Sequence, residues 1–316
     1  MNSIGGYFEL ELNNYGTLYH NEAVALNSGR NALEYILLAN NHYKKIFIPY
    51  YTCDVILQPI RRLRLNFAYY ELEQDLTPRI KNLGKNEVLL YINYFGILYK
   101  KIENLLKIYQ NVIIDNSQAF FAKPFKNIPT FYSPRKFFGL PDGGFAYVHR
   151  NINVKLERDK SIDRFRHLLE RIENGPEQGF NFFKTNEKNF DNLPLRKMSV
   201  ITEKLMLNIN YKQVLQIRNE NFLYLHKYLE KSNELTPIIE NEKINGPMVY
   251  PFLKSGNGEL KKKLIENKIY VATYWPNVLK SVSKNKLEYY LAKNIIPFPV
   301  DQRYTKKDME KILRFL

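Results

Sequence analysis

Short apolar runs alternate with helix-spaced segments along the first 150 residues. Ala23–Leu26 is apolar and Ser28-Gly29 follows it. Ala32, Tyr35, Ile36 and Ala39 then recur at helical spacing within Asn31–Ala39. Lys45–Pro49 (KIFIP) predicts a buried strand closed by Pro49, and Cys53–Leu63 a helix interrupted or kinked at Pro59. Further strands are predicted over Asn66–Tyr70, Glu87–Asn93, Asn111–Asp115, Thr130–Ser133 and Gly144–His149, with a helix over Lys101–Tyr109. Strands alternating with helices predict an α/β fold, a mostly parallel sheet covered by helices on both faces.

The pattern changes after residue 150. Val154–Asn174 is charged and helical, and Gly175–Lys197 is irregular and rich in Asn and Phe. Ile201–Glu230 predicts one long or broken helix. Beyond it, Met248–Leu253 and Ile269–Thr273 predict strands, and Glu259–Asn267 and Lys306–Leu316 helices. The division expected is an N-terminal arm (1–22), a large domain (23–225) and a small C-terminal α+β domain (226–316).

Composition narrows the class. In 316 residues, 45% are hydrophobic and 25% charged, which excludes disordered and fibrous chains. No apolar run approaches the roughly 18 residues of a membrane helix. Met1–Leu10 lacks a basic segment followed by an apolar one, so no secretory signal is expected. Cys53 is the single cysteine, which leaves no internal disulfide and fits a reducing, cytoplasmic compartment. The five histidines are scattered without metal-ligand spacing, so no metal is expected. The formal charge of +15 permits an anionic ligand or a nucleic acid. Basic residues are dispersed and no nucleic-acid motif is present, so a nucleic-acid partner is not expected.

Candidate chemistry sits where strands end, because open α/β sheets bind ligands beyond the carboxyl ends of their strands. Asn27-Ser28-Gly29-Arg30 opens a helix, whose free N–H groups and dipole suit a phosphate; an ordinary serine cap explains the same residues. Asp115 ends a buried strand and needs a partner, such as a ring nitrogen, a metal, a basic side chain or a helix to cap. Lys136 follows Ser133 in a turn leading to Asp142-Gly143-Gly144; there it is either a desolvated, reactive amine or a surface lysine. Tyr50 and Tyr51 can stack on a planar ligand or pack in the core, and Trp275 can line the other side of a cleft. A phosphate cradle, a carboxylate, an aromatic cluster and a lysine together are what pyridoxal phosphate (PLP) requires.

These segments, in their order, resemble the DegT/DnrJ/EryC1/StrS sugar aminotransferases, PLP-dependent enzymes of fold type I. The likeness runs through LNSGRNALEYIL (26–37), IPYYTCDVI (48–56), NYFGI (93–97), VIIDNSQAFFAKP (112–124) and SPRKFFGLPDGGFAYV (133–148). The resemblance implies that Lys136 is the Schiff-base lysine and that Asp115 pairs with the pyridine nitrogen. It implies that Gln118 contacts the ring hydroxyl, that Gly29, Arg30 and Ser133 hold the phosphate, where Ser28 can add a hydroxyl, and that any stacking on the ring falls to Tyr50 or Tyr51. It further implies a homodimer transferring an amino group from glutamate or glutamine to a keto-sugar nucleotide, for cell-surface glycan synthesis. A related branch carries histidine at the lysine position and dehydrates instead. The chain departs from the family in its shortness, in Arg30 for the common Thr, in Cys53 where a stacking aromatic usually lies, and in Leu195 where an Asn often reaches the neighbouring subunit. These departures motivate an alternative, a non-catalytic descendant that acts as a binding or scaffold protein.

Overall fold

Runs such as Ile46–Ile48, Val88–Ile92 and Val112–Ile114 carry β-branched and large apolar side chains at consecutive positions. Such runs suit strands buried on both faces. In the computed structural model, which describes Tyr7 and residues 9–316, they form the centre of a seven-stranded sheet. Its strands are β1 (Val24–Leu26), β2 (Lys45–Pro49), β3 (Asn66–Tyr70), β4 (Glu87–Ile92), β5 (Val112–Asp115), β6 (Thr130–Tyr132) and β7 (Gly144–Tyr147). The order across the sheet is β1-β7-β6-β5-β4-β2-β3. Neighbours from β3 through β6 are parallel, and β7 runs antiparallel to both β6 and β1. β1, β2, β4, β5 and β6 therefore end on one edge of the sheet. Ile46, Ile48, Val88, Leu89, Leu90, Ile113 and Ile114 are wholly buried between the covering layers.

The helices are α1 (Gly29–Ala39), α2 (Leu57–Arg62), α3 (Tyr99–Leu105), α4 (Arg166–Lys188), α5 (Val200–Leu207), α6 (Tyr211–Leu229), α7 (Thr236–Glu240), α8 (Gly258–Glu266), α9 (Pro276–Ser281), α10 (Leu287–Asn294) and α11 (Lys306–Leu313). A two-stranded antiparallel sheet, β8 (Val249–Leu253) with β9 (Ile295–Pro299), lies in the C-terminal part. Among the described residues no helix is long and apolar enough to cross a membrane.

Three sequence expectations change. Ile269–Thr273 is not a strand; β8 pairs instead with β9. Pro297 and Pro299 obscured β9, yet Pro297 stands opposite Pro251, and both prolines of β9 fall on the alternate pairs that exchange no hydrogen bonds. Helix α4 starts late, at Arg166, and continues through the stretch expected to be irregular. Gly175 (φ 86°) breaks it, and Pro176 restarts it because the first turn of a helix tolerates proline. Pro59 causes no kink, since it falls in the first turn of α2 after a short 3₁₀ turn at Asp54–Ile56. Over 201–230 the broken form of the expected helix is found, divided where Asn208 closes α5 and the Asn210 side chain caps α6.

The expected arm 1–22 lies partly outside the described residues. Its described end is anchored by His20, which is buried. One ring nitrogen of His20 lies 2.8 Å from the Phe120 carbonyl, and the ring packs on Tyr132 at 4.0 Å between centroids. Burial holds the His20 pKa down at about 4, against a smaller opposing effect of the Phe120 carbonyl. A lowered pKa leaves the folded state reluctant to bind a proton that the unfolded chain accepts below its ordinary value of about 6.5. Stability should therefore be full above that value and fall as the pH drops towards 4, by about 3 kcal/mol from this group. Urea unfolding of wild type and His20→Gln at pH 7 and pH 4.5 checks this; the variant should lose distinctly less stability on acidification.

Candidate active site

The turns at the carboxyl ends of the strands enclose a cavity of about 200 Å³. Ser28, Gly29, Arg30, Asp115, Ser133 and Lys136 all line it. Six residues from three separate sequence segments thus meet because β1, β5 and β6 end on the same edge. Tyr51 and Gln118 are not among its lining residues.

At one end is the start of α1. Ser28 Oγ accepts from the Asn31 N–H at 3.1 Å, so Ser28 serves as the helix cap. The backbone of Gly29 passes close to Ser133: a Cβ on Gly29 would stand 3.1 Å from the Ser133 Cβ. Ser133 Oγ has no hydrogen-bond partner among the described residues and faces the cavity. Two guanidinium groups flank this end. Arg30 pairs with Asp191 at 2.9 Å and reaches Gln58 at 3.3 Å. Arg135 pairs with Glu187, stacks on Phe190 at 3.9 Å and keeps a buried Nε without a partner. Burial depresses the Arg135 pKa, with Glu187 opposing the effect.

At the other end, Asp115 is 6% exposed and accepts from the Ser117 N–H at 2.7 Å. Burial pushes its carboxyl above the ordinary carboxylate range, while Lys136 and the Ser117 hydrogen bonds pull it back. Lys136 Nζ donates to Ser117 Oγ at 2.9 Å. Of the two readings of Lys136, the structure supports the accessible one: the residue is exposed while lining the cavity.

Tyr51 is held in the core, edge-on to Trp275 at 4.9 Å, and Trp275 lines the cavity in its place. Gln118 Oε1 is occupied by the Phe95 N–H at 2.7 Å, where Phe95 has a left-handed φ of 60°. Cys53 also lines the cavity, with its thiol pKa raised by burial.

Three contributors were missed by sequence reasoning. Glu187 and Phe190 come from the stretch expected to be irregular, so nothing marked them as site residues. The third, Arg218 on α6, is 1% exposed and ties the lysine turn to the C-terminal part. It donates to the carbonyls of Pro247 at 3.0 Å, Met248 at 3.3 Å and Phe137 at 3.2 Å, and lies over the Phe137 ring at 4.5 Å. Burial lowers its pKa to about 10. Arg218→Ala should cost about 3 kcal/mol in urea unfolding, since it takes the buried guanidinium away from the Pro247 and Met248 carbonyls, whereas the Phe137 carbonyl keeps a bond from Gln302 Nε2 at 2.9 Å. A loss under about 1 kcal/mol would show that water replaces the guanidinium.

No family model matches the sequence, and no curated protein matches it. Comparison with solved structures is informative. A sugar aminotransferase, CalS13, from Micromonospora echinospora superimposes with a TM-score of 0.65 at 14% identity, over 93% of this chain and 86% of that one. The fold is that of the DegT/DnrJ/EryC1/StrS sugar aminotransferases. A DegT/DnrJ/EryC1/StrS aminotransferase from Brucella abortus gives a TM-score of 0.60 at 14% identity, covering 93% of this chain and 84% of that one. The GDP-4-keto-6-deoxy-D-mannose-3-dehydratase of E. coli, with bound hydrated PLP, gives 0.62 at 14% identity, over 93% and 87% of the two chains. Among these compared proteins the same fold thus carries both amino transfer and dehydration.

Proposed function

We propose that this chain is a PLP-dependent aminotransferase that moves an amino group from glutamate or glutamine to a keto-sugar nucleotide. The observation that carries the proposal is the placement of Lys136, Asp115 and Ser133 around one cavity at the start of α1. The residues fit the cofactor. An unpartnered Ser133 hydroxyl, the first turn of α1 and two guanidinium groups suit a phosphate at one end. A buried carboxylate with a cation nearby suits a protonated ring nitrogen at the other. Gly29 supports this fit, since any larger residue would push against Ser133 where the phosphate has to approach.

When bound, PLP supplies an electron-accepting ring and a carbonyl carbon for exchange of amines. The protein's own groups do the rest. Asp115, a carboxylate largely stripped of water by burial, would hold a proton on the ring nitrogen. Ser117 Oγ holds the Lys136 amine in place through the 2.9 Å hydrogen bond. From there Lys136 Nζ can form the covalent link and move a proton at the substrate carbon. Arg30 and Arg135 would hold the phosphate by charge, while they stay paired with Asp191 and Glu187. Trp275 closes the cavity on the side of the C-terminal part. Lysine rather than histidine at position 136 favours amino transfer over dehydration. Gln118 and Tyr51 do not line the cavity and are given no role, although the Gln118 Nε2 and the Tyr51 hydroxyl have no hydrogen-bond partner among the described residues.

A nucleotide sugar product fits a role in cell-surface glycan synthesis, and a dimer is the expected assembly. The test is to supply ¹⁵N-glutamate or amide-¹⁵N-glutamine with a panel of keto-sugar nucleotides and look for labelled amino sugar by mass spectrometry. Incorporation supports the reading. No incorporation from either donor, in protein shown to bind PLP, would overturn the assigned reaction.

A further inference from the structure

The C-terminal part contains a second cluster of chemistry-bearing side chains that the proposed reaction does not use. His226 and Glu230 are four residues apart and stand on one face at the end of α6. Glu240 is the last residue of α7. The ligand atoms of the three side chains all lie within 4.8 Å of one another. None of the three lines the cavity at Lys136.

Two carboxylates brought this close repel each other unless a cation sits between them. Among the described residues, neither Glu230 nor Glu240 has a salt bridge or a side-chain hydrogen bond, although the chain carries an excess of basic residues. His226 is oriented from behind. Its Nδ1 lies 3.2 Å from Tyr250 Oη on β8, and Asn233 Nδ2 donates to the same oxygen at 3.1 Å. That arrangement lets the imidazole give its Nδ1 proton to Tyr250 and keep the Nε2 lone pair for a metal, as the outer partners of metal-binding histidines commonly do. The ends of α6 and α7 are also fixed to each other, since Thr236 Oγ1 donates to the Glu230 carbonyl at 2.6 Å.

We propose that His226, Glu230 and Glu240 form a binding site for a divalent transition metal of the zinc type. One imidazole nitrogen and two carboxylate oxygens match the ligand preference of Zn²⁺ and Co²⁺ better than that of Mg²⁺ or Ca²⁺, which favour all-oxygen shells. Bonds of about 2.1 Å in a tetrahedral shell separate ligands by about 3.4 Å, so the cluster has to close by no more than about 1.4 Å around the ion. Water takes the fourth position. The ion clips the end of α6 to α7 and is independent of the chemistry at Lys136. Histidine spacing could not reveal such a site, because two of its three ligands are glutamates.

The test uses the full-length protein stripped with a chelator. Titration with ZnCl₂ in a calorimeter should show one equivalent bound, and CoCl₂ should give visible bands of a low-coordinate Co²⁺ site. Glu240 is exposed, so Glu240→Gln leaves the fold intact; it should weaken Zn²⁺ binding at least about tenfold, and His226→Ala should abolish it. The thermal midpoint of the wild type should rise with Zn²⁺, and that of Glu240→Gln should respond much less. Absence of Zn²⁺ binding by the wild type overturns the proposal. So does binding that Glu240→Gln leaves unchanged, whether or not His226→Ala folds.

Discussion

Replacing Lys136 by alanine should abolish the visible absorption that the wild type shows after reconstitution with PLP. It should also lower amino transfer by at least about 10³-fold, because one side chain supplies both the covalent link and the proton carrier. The fold should survive. Lys136 is exposed, and its one side-chain hydrogen bond is to Ser117 Oγ, so its loss costs the apo protein little. Lys136→Arg is the sharper control. It keeps the charge beside Asp115 and can keep a hydrogen bond to Ser117, yet a guanidinium does not form the link. An arginine variant that retained the visible band would place the link on another lysine.

Asp115→Asn should separate stability from function. Asparagine keeps an oxygen for the Ser117 N–H that Asp115 now accepts at 2.7 Å. It removes a carboxylate that burial has pushed above its ordinary range. Below about pH 4 the carboxyl is protonated in both the folded and the unfolded chain and carries no penalty. As the pH rises from the ordinary carboxylate value through the raised folded one, the unfolded chain ionises before the buried group does, so the wild type loses stability relative to the variant. At pH 7 the apo variant should therefore melt above the wild type, and the gap should close on acidification. Amino transfer should nevertheless fall by at least about 100-fold, because the ring nitrogen loses its charged partner. An apo variant less stable than wild type at pH 7 would mean that the attraction between Asp115 and Lys136 outweighs the burial of the charge.

The parallel sheet was legible because its strands are short, apolar and ended by turn residues. Lys45–Pro49 and Asn66–Tyr70 form over the expected residues. Strand direction then brought Asp115, Ser133 and Lys136 together, which the order of motifs had suggested. Local pattern failed where tertiary packing decides. Gly175-Pro176 looks like a helix end, yet α4 resumes across it and delivers Glu187 and Phe190 to the Arg135 side chain. Pro297 and Pro299 hide β9, whose partner lies more than 40 residues upstream. Arg218 looked like any basic residue of an amphipathic helix until the carbonyls of Phe137, Pro247 and Met248 closed around it. Gln118 belongs to a recognisable motif, but the tight backbone at Phe95 takes its oxygen. The charge excess also reads differently now. Both arginines at the proposed phosphate end have acidic partners, so the local field is less positive than the sequence implied.

The central claim is that Lys136 is the residue that bonds to the cofactor. The direct measurement is to reconstitute the full-length protein with PLP, reduce it with borohydride, digest it and locate the modified peptide by mass spectrometry. The account predicts one stable adduct, on Lys136 in the segment Ser133–Gly144. An adduct confined to another lysine, or none at all, would contradict it and favour a chain that keeps the fold without the chemistry.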